Sequence, residues 1–367
     1  MANSSFVITS LFILSSISSL VIQTKAYRHY PQPDARASLF IFGDSLFDAG
    51  NNNYIKTIGQ ANYYPYGETF FKYPSGRFCN GRLISDFIAE YAKLPFIQPY
   101  LYPGNHDYRN GANFASAGSG ALFETGRGIL VIDLNTQLEY FKNVSNELRK
   151  QIGDADAKAL LSRAVYIFSV GSNDYSFPFL RNVTVPNTQQ FVGMVIGNLT
   201  EVIKEIYNIG GRKMGFLNLD HFGCAPYGRV LQGEDDGACF DKFIPFIKSH
   251  NTQLSIVLKK LQTKLKGFKY SFVDQYTFTE ERLNHPSKYG FKEEKVACCG
   301  SGPYRGRPSC GGRRGEKEYE LCENVNDHVF FDFGHSTERF NEQFATEAWN
   351  GKLNNGSGSY SLKQLFE

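Results

Sequence analysis

The stretch Leu39-Phe40-Ile41-Phe42-Gly43-Asp44-Ser45 decides the fold. Four apolar residues in a row, without polar alternation, are expected of a strand covered on both faces, and Gly43 ends the run where a turn can begin. Val165–Val170, Met214–Leu217 and Tyr270–Val273 have the same character, and the segment from Gly111 reads as a short strand ending in a flexible turn. Helical patterns lie between them. Leu83, Ile84, Phe87, Ile88 and Tyr91 recur at helical spacing. So do Val195, Leu199, Val202 and Ile206, in a pattern that stops at Gly210-Gly211. Phe240 to Leu265 reads as one long helix, and a final helix is expected from Ser336 to Asn350. Strand and helix in alternation predict a three-layer α/β/α sandwich with a parallel sheet. Without an internal repeat or a Pro-rich linker, a single domain is expected over residues 37–352, with 353–367 as a C-terminal tail.

Composition narrows the function. A net charge of +3, with no stripe of Lys and Arg, argues against a nucleic-acid partner. Val7 to Ile22 is apolar and serine-rich and is followed by Thr24-Lys25-Ala26, so residues 1–26 read as a signal peptide and the chain as secreted. No second stretch approaches the roughly 20 apolar residues of a bilayer span, so stable membrane insertion is not expected. In an oxidising compartment the seven cysteines are expected to form disulfides, one staying unpaired because the number is odd. Cys224 and Cys239 are spaced to close a short loop, and Cys79, alone in sequence, is the candidate free thiol. A zinc site at Cys298, Cys299, Cys310 and Cys322 is disfavoured because no CxxC knuckle is present. The Gly-, Arg- and Cys-rich segment from Cys298 to Cys322 reads as a disulfide-tied surface loop. Asn143, Asn182, Asn198 and Asn355 are glycosylation acceptors by motif. Asn198 shares a helical face with Glu201 and Glu205 and is expected to be exposed.

Ligands of open parallel sheets bind beyond the carboxyl ends of the strands, so the residues that follow each strand matter most. After the first comes Ser45; after Val170 comes Gly171-Ser172-Asn173-Asp174; the short strand leads to Gly118; near the C-terminus stands Asp332-Phe333-Gly334-His335. A serine hydroxyl attacks only when a base takes its proton, and the base must be held in the right tautomer. Asp332 and His335, three residues apart on what is expected to be a helical turn, can supply both. Ser45 N–H, Gly118 N–H and the Asn173 amide are the candidate donors to an oxyanion.

These segments resemble the blocks of the GDSL family of SGNH hydrolases, most closely its secreted plant esterase/lipase branch. Phe42-Gly43-Asp44-Ser45 with Phe47-Asp48-Ala49-Gly50-Asn51-Asn52-Asn53 is similar to the family's first block. Gly118 matches the second, Asn173 the third, and Asp332 with His335 the last. Ser75-Gly76-Arg77, Asn80-Gly81-Arg82, Gly223-Cys224-Ala225-Pro226 and Cys298-Cys299-Gly300 extend the resemblance to the C-terminal helix. It implies a flavodoxin-like sandwich, hydrolysis of small-molecule or lipid esters through an acyl-serine, and neither metal nor organic cofactor. Two positions depart from the pattern: Ser336 follows the histidine where proline is usual, and Phe331 precedes Asp332 where tryptophan is common.

Simpler readings compete. Ser45 suits a helix N-cap, Asn173 a turn, and Gly118 a left-handed backbone position. Asp44 reads as a brace of its turn rather than a reacting group. His106, His221, His250, His285 and His328 read as surface or structural. Tyr63, Tyr64, Tyr66, Phe70 and Phe71 are candidates for an acyl groove, with core or rim the commoner fate of such residues. An acyltransferase with the same Ser-His-Asp site, and a binding or defence protein without activity, stand as alternatives to the esterase.

Overall fold

The apolar runs form strands β1 (Leu39–Gly43), β2 (Gly111–Asn113), β3 (Val165–Ser169), β4 (Lys213–Leu217) and β5 (Lys269–Val273) in a computed structural model that describes residues 36–104, 106–181, 183–184, 187–233, 237–354 and 358–367. All neighbouring strands are parallel, in the order β2-β1-β3-β4-β5. That is the doubly wound order whose switch point lies where β1 is flanked on one side by β2 and on the other by β3.

Successive side chains on each strand point to opposite faces, and the two faces differ in chemistry. Phe40, Phe42, Tyr166, Phe168, Phe216 and Phe272 bury an aromatic face beneath helices α2 (Leu134–Ile152), α3 (Asp154–Arg163), α5 (Thr188–Ile209) and α7 (Ile244–Lys264). The rings of Phe42, Phe168 and Phe216 stack across three strands at centroid separations of 5.0 and 4.9 Å. Leu39, Ile41, Val165 and Ile167 make the opposite face aliphatic, beneath α1 (Ile84–Tyr91), α9 (Glu338–Trp349) and α10 (Leu362–Phe366). The short helices α4 (Ser172–Leu180), α6 (Pro226–Gln232) and α8 (Gln275–Asn284) follow β3, β4 and β5. The three-layer parallel α/β architecture is therefore the expected one.

The differences from expectation have local causes. The helix expected from Phe240 begins at Ile244, after a 3-10 turn at Asp241–Phe243, because Pro245 lacks an N–H and fits only a first turn. The last long helix starts at Glu338 because Ser336 is paired in a β-bridge with Phe330. Asn198 is half-buried rather than exposed, and its Nδ2 donates to Ala121 O at 3.2 Å. Asn143 is exposed. Asn182, Asn355 and residues 1–26 lie outside the described residues. Residues 358–367, within the stretch read from sequence as a tail, pack on the sheet: Leu362 and Leu365 are buried and Tyr360 N–H bonds Tyr270 O along β5.

Candidate active site

Ser45 stands where β1 must end. Gly43 has φ +147° and any Cβ there would run into Ser169 O of β3, so only glycine lets the strands come this close and the chain turn outward. Gln137 of α2 clamps the turn, its Oε1 accepting from Gly43 N and its Nε2 donating to Gly43 O, both at 2.9 Å. Asp44 braces it from the other side, accepting from Leu46 N at 3.1 Å and Ser172 Oγ at 3.2 Å. Burial pushes the Asp44 carboxyl up to about 7 despite these donors.

His335 arrives from the opposite end of the chain. Its Nε2 lies 2.8 Å from Ser45 Oγ and its Nδ1 2.7 Å from Asp332 Oδ1. The rings of Phe78 and Phe333 flank the imidazole at 4.8 and 5.6 Å. The segment between Asp332 and His335 is a bend and not the expected helical turn. Asp332 Oδ1 caps that bend by accepting from Gly334 N at 3.0 Å and His335 N at 2.9 Å, so one carboxylate oxygen holds both backbone and ring of the histidine. Phe331 N–H closes the bend onto His335 O at 2.7 Å. Ser336, in place of proline, bridges to Phe330, and Phe331 fills a buried site against Tyr66 at 5.4 Å between centroids.

Sequence reasoning missed what lies beneath Asp332. Its second oxygen accepts from Tyr66 Oη at 2.6 Å, and Tyr66 Oη accepts from Arg314 Nη1 at 2.9 Å. Complete burial alone would raise the Asp332 carboxyl, but His335, Arg314 and Tyr66 together hold it below its ordinary value. None of the five aromatics offered as acyl-groove candidates lines the cleft described below, and core or rim, the commoner fate, is where they lie. Tyr66 lies under the carboxylate instead, and Phe70 and Phe71 pack with Phe96, Arg82 and Arg77. The aromatic cluster was the available signal for Tyr66, but no spacing ties it to a residue 266 positions away.

The donors converge through a second set of hidden supports. Asp48 accepts from Gly50 N and Asn51 N on its own loop and from Ala117 N at 3.0 Å, beside Gly118. Asn51 Nδ2 ties Asn113 O and Ala115 O, and Asn52 Nδ2 ties Ala117 O. The run after Ser45 thus fastens the β1 loop to the β2 loop. Gly118 adopts φ +87°, and among the described residues neither its N–H nor that of Ser45 has a protein acceptor. Asn173 Nδ2 spends one hydrogen on Ser119 O at 2.9 Å, which fixes the amide and leaves the second. Asp174 is buried and accepts from Ala121 N, Leu122 N and Thr125 Oγ1, so it anchors the neighbouring loop.

Ser45, Gly118, Asn173 and His335 all border one cavity of about 370 Å³. Its walls are mostly apolar, including Ile58, Ile129, Phe177, Leu180 and Phe243. Asp332 is buried beneath His335 rather than in the wall. The arrangement can withdraw a proton from Ser45 through the imidazole while N–H groups face the same space.

The disulfides are Cys224–Cys239, Cys298–Cys322 and Cys299–Cys310, with Cys79 free and buried. His221, Cys224 and Cys239 bring three donor atoms within 4.8 Å, but both sulfurs are bonded to one another and offer no thiolate to a metal. Of the remaining histidines, His250 is buried against Tyr175 and packs behind Gly171; His106 and His285 are exposed.

Fold and site together define an α/β protein of the serine-hydrolase class. Residues 39–348 match the family model for GDSL-like lipases and acylhydrolases. The chain is 52% identical over 340 residues to GDSL esterase/lipase 1 of Arabidopsis thaliana, covering 90% of each. It is 51% identical over 337 residues to GDSL esterase/lipase 5 of the same plant, covering 90% of this chain and 87% of the relative. A GDSL lipase of Tanacetum cinerariifolium is 47% identical over 334 residues, with 90% and 88% covered. The chain belongs to the GDSL lipase/acylhydrolase family and is a serine hydrolase acting on ester bonds.

Proposed function

We propose that this is a secreted esterase/lipase in which Ser45 attacks the ester carbonyl, His335 acts as general base and then general acid, and Asp332 orients the imidazole. His335 Nε2 takes the Ser45 proton as the Oγ–carbon bond forms, and Asp332 offsets the charge that appears on the ring. The oxyanion is held by the N–H groups of Ser45 and Gly118 and by the second Asn173 hydrogen. Collapse of that intermediate breaks the bond to the alcohol oxygen, which takes the proton back from His335. Water then repeats the cycle on acyl-Ser45 and releases the acid.

The observation that carries this reading is the unbroken relay Ser45–His335–Asp332 at the wall of an apolar cleft. Short acyl esters of p-nitrophenol supply the test. Wild type is expected to release acid and phenol, and Ser45→Ala to lose at least about a thousandfold in kcat/KM. Turnover retained by Ser45→Ala would refute the assignment.

Secretion is supported by the apolar leader, residues 1–26, and by three disulfides, which persist in oxidising compartments. Expression of the full chain in a plant secretory system is expected to yield extracellular protein whose N-terminus follows Ala26. Protein retained in the cytosol with Met1 intact would contradict it.

A further inference from the structure

The cleft is apolar except for a few residues, and two of its charged side chains differ in how they are occupied. Arg314 spends its guanidinium on Tyr66 Oη and on Gln60 O at 2.6 Å. Asp220, half-buried, lines the same cavity, and among the described residues no other residue donates a hydrogen bond to its carboxylate. Without a protein donor this carboxylate is hydrated only by the water of the cleft, so a substrate that displaces that water and brings an O–H meets a ready acceptor.

The topology says which half of the substrate reaches it. Gly118 follows β2 and Asp220 follows β4, while Ser45 and Asn173 follow the two strands between. Ile129 lies against Gly118, a Cβ on which would meet Ile129 Cδ1 at 2.6 Å, so the β2 side of the cleft is an apolar arm. Asp220 is on the other side, where the segment carrying His335 is also held: Tyr227 N–H of α6, the helix that follows β4, bonds Phe333 O at 2.9 Å, and all four residues line the cleft. His335 returns its proton to the departing alcohol oxygen, so the alcohol lies on the His335 side and the acyl chain in the apolar arm.

We propose that Asp220 is a specificity-determining residue that accepts a hydrogen bond from a hydroxyl on the alcohol half of the ester. The substrate class is then an acyl ester of a hydroxyl-bearing alcohol, not of a plain alkyl one. This rests on the roles given above to Ser45 and His335. Burial, which pushes the Asp220 carboxyl up to about 6, is the penalty that such a donor offsets.

Glycerol 1-monobutyrate and propyl butyrate share acyl group and carbon skeleton and differ by two hydroxyls, so the ratio of their kcat/KM values reads the contact. Each ratio is compared with that for hydroxide-catalysed hydrolysis, which removes intrinsic reactivity. Wild type is expected to favour the glycerol ester by at least about tenfold beyond that baseline. Asp220→Ala should bring the ratio to the baseline. Asp220→Asn, nearly the same shape and still able to accept through Oδ1, should give an intermediate ratio. A wild-type ratio at the baseline would overturn the proposal. So would an Asp220→Ala enzyme slowed equally on both esters, since that places the residue in service of His335 alone. If wild type hydrolyses neither ester and Ser45 is inert, the underlying esterase reading fails; hydrolysis of both without preference defeats only the role of Asp220.

Discussion

Asp332 is buried completely, yet its carboxyl is held below the ordinary range, because the charge is shared among His335, Arg314 and Tyr66 after burial has done its work in the other direction. Tyr66 is consequently a positioning residue: it touches the carboxylate and not the reacting atoms. Tyr66→Phe removes a hydrogen bond to a charged group, commonly about 1.5–3 kcal/mol, and is expected to lower kcat/KM by about 10- to 100-fold with KM changed little. Assays with a short soluble ester check this, and unaltered kcat would show that the Asp332 orientation is set without Tyr66. Asn173→Ala removes a proposed oxyanion donor and should cost on the order of 100- to 1,000-fold in kcat. Retained kcat in that variant would assign the amide to the turn alone. At this scale the convergence of Ser45, Asp332 and His335 was legible because each stands at a recognisable strand end or short motif. Tyr66, Arg314 and Asp48 were not, because their effect depends on where a loop folds back, which no local spacing records.

The loop from Cys298 to Cys322 shows how an element far along the chain from Ser45 fastens the segment that carries Asp332 and His335. Cys298 N–H bonds Phe330 O at 3.0 Å and Cys299 N–H bonds Phe331 O at 2.7 Å, so the loop is stitched to the segment that leads into Asp332. A two-stranded antiparallel pair, Cys299–Gly300 with Glu320–Leu321, and two disulfides close it, and it carries Arg314. Replacing Cys299 and Cys310 by serine together is expected to reduce activity at least about tenfold at temperatures where circular dichroism still reports a folded chain. Loss of activity only on global unfolding would show the loop to be ornamental to the site. Sequence reading recognised a disulfide-tied loop but not its attachment, since backbone pairing between segments 30 residues apart leaves no side-chain signature. Two helices start later than the sequence pattern predicts: Pro245, which fits only a first turn, moves one start locally, and the Ser336 bridge to Phe330 moves the other through pairing along the chain.

At the scale of the whole molecule, the sheet was legible because strands buried on both faces must be continuously apolar, and Leu39–Gly43 could be nothing else for long. The burial that makes the sheet also leaves carboxylates inside. Burial raises Asp44 to about 7 and Asp48, Asp174 and Asp220 to about 6, and lowers His250 to about 3. Between about pH 4 and 6 each carboxyl keeps a proton in the folded chain that the unfolded chain has released, so stability falls as pH rises. His250 and His221, both lowered by burial, work oppositely, since the unfolded chain binds protons there that the folded chain refuses, but they are two groups against four. The melting temperature is therefore expected to be higher at pH 5 than at pH 7, as differential scanning calorimetry would read; a rise from pH 5 to pH 7 would contradict the balance.

The central claim is that Ser45 takes up the acyl group with His335 as its base. Labelling with a fluorophosphonate, followed by mass spectrometry of the proteolysed protein, tests it most directly. A single stoichiometric adduct is expected on the peptide containing Ser45, abolished in folded Ser45→Ala and slowed by at least about a thousandfold in His335→Gln. An adduct on another residue, or equal labelling of Ser45→Ala, would contradict it.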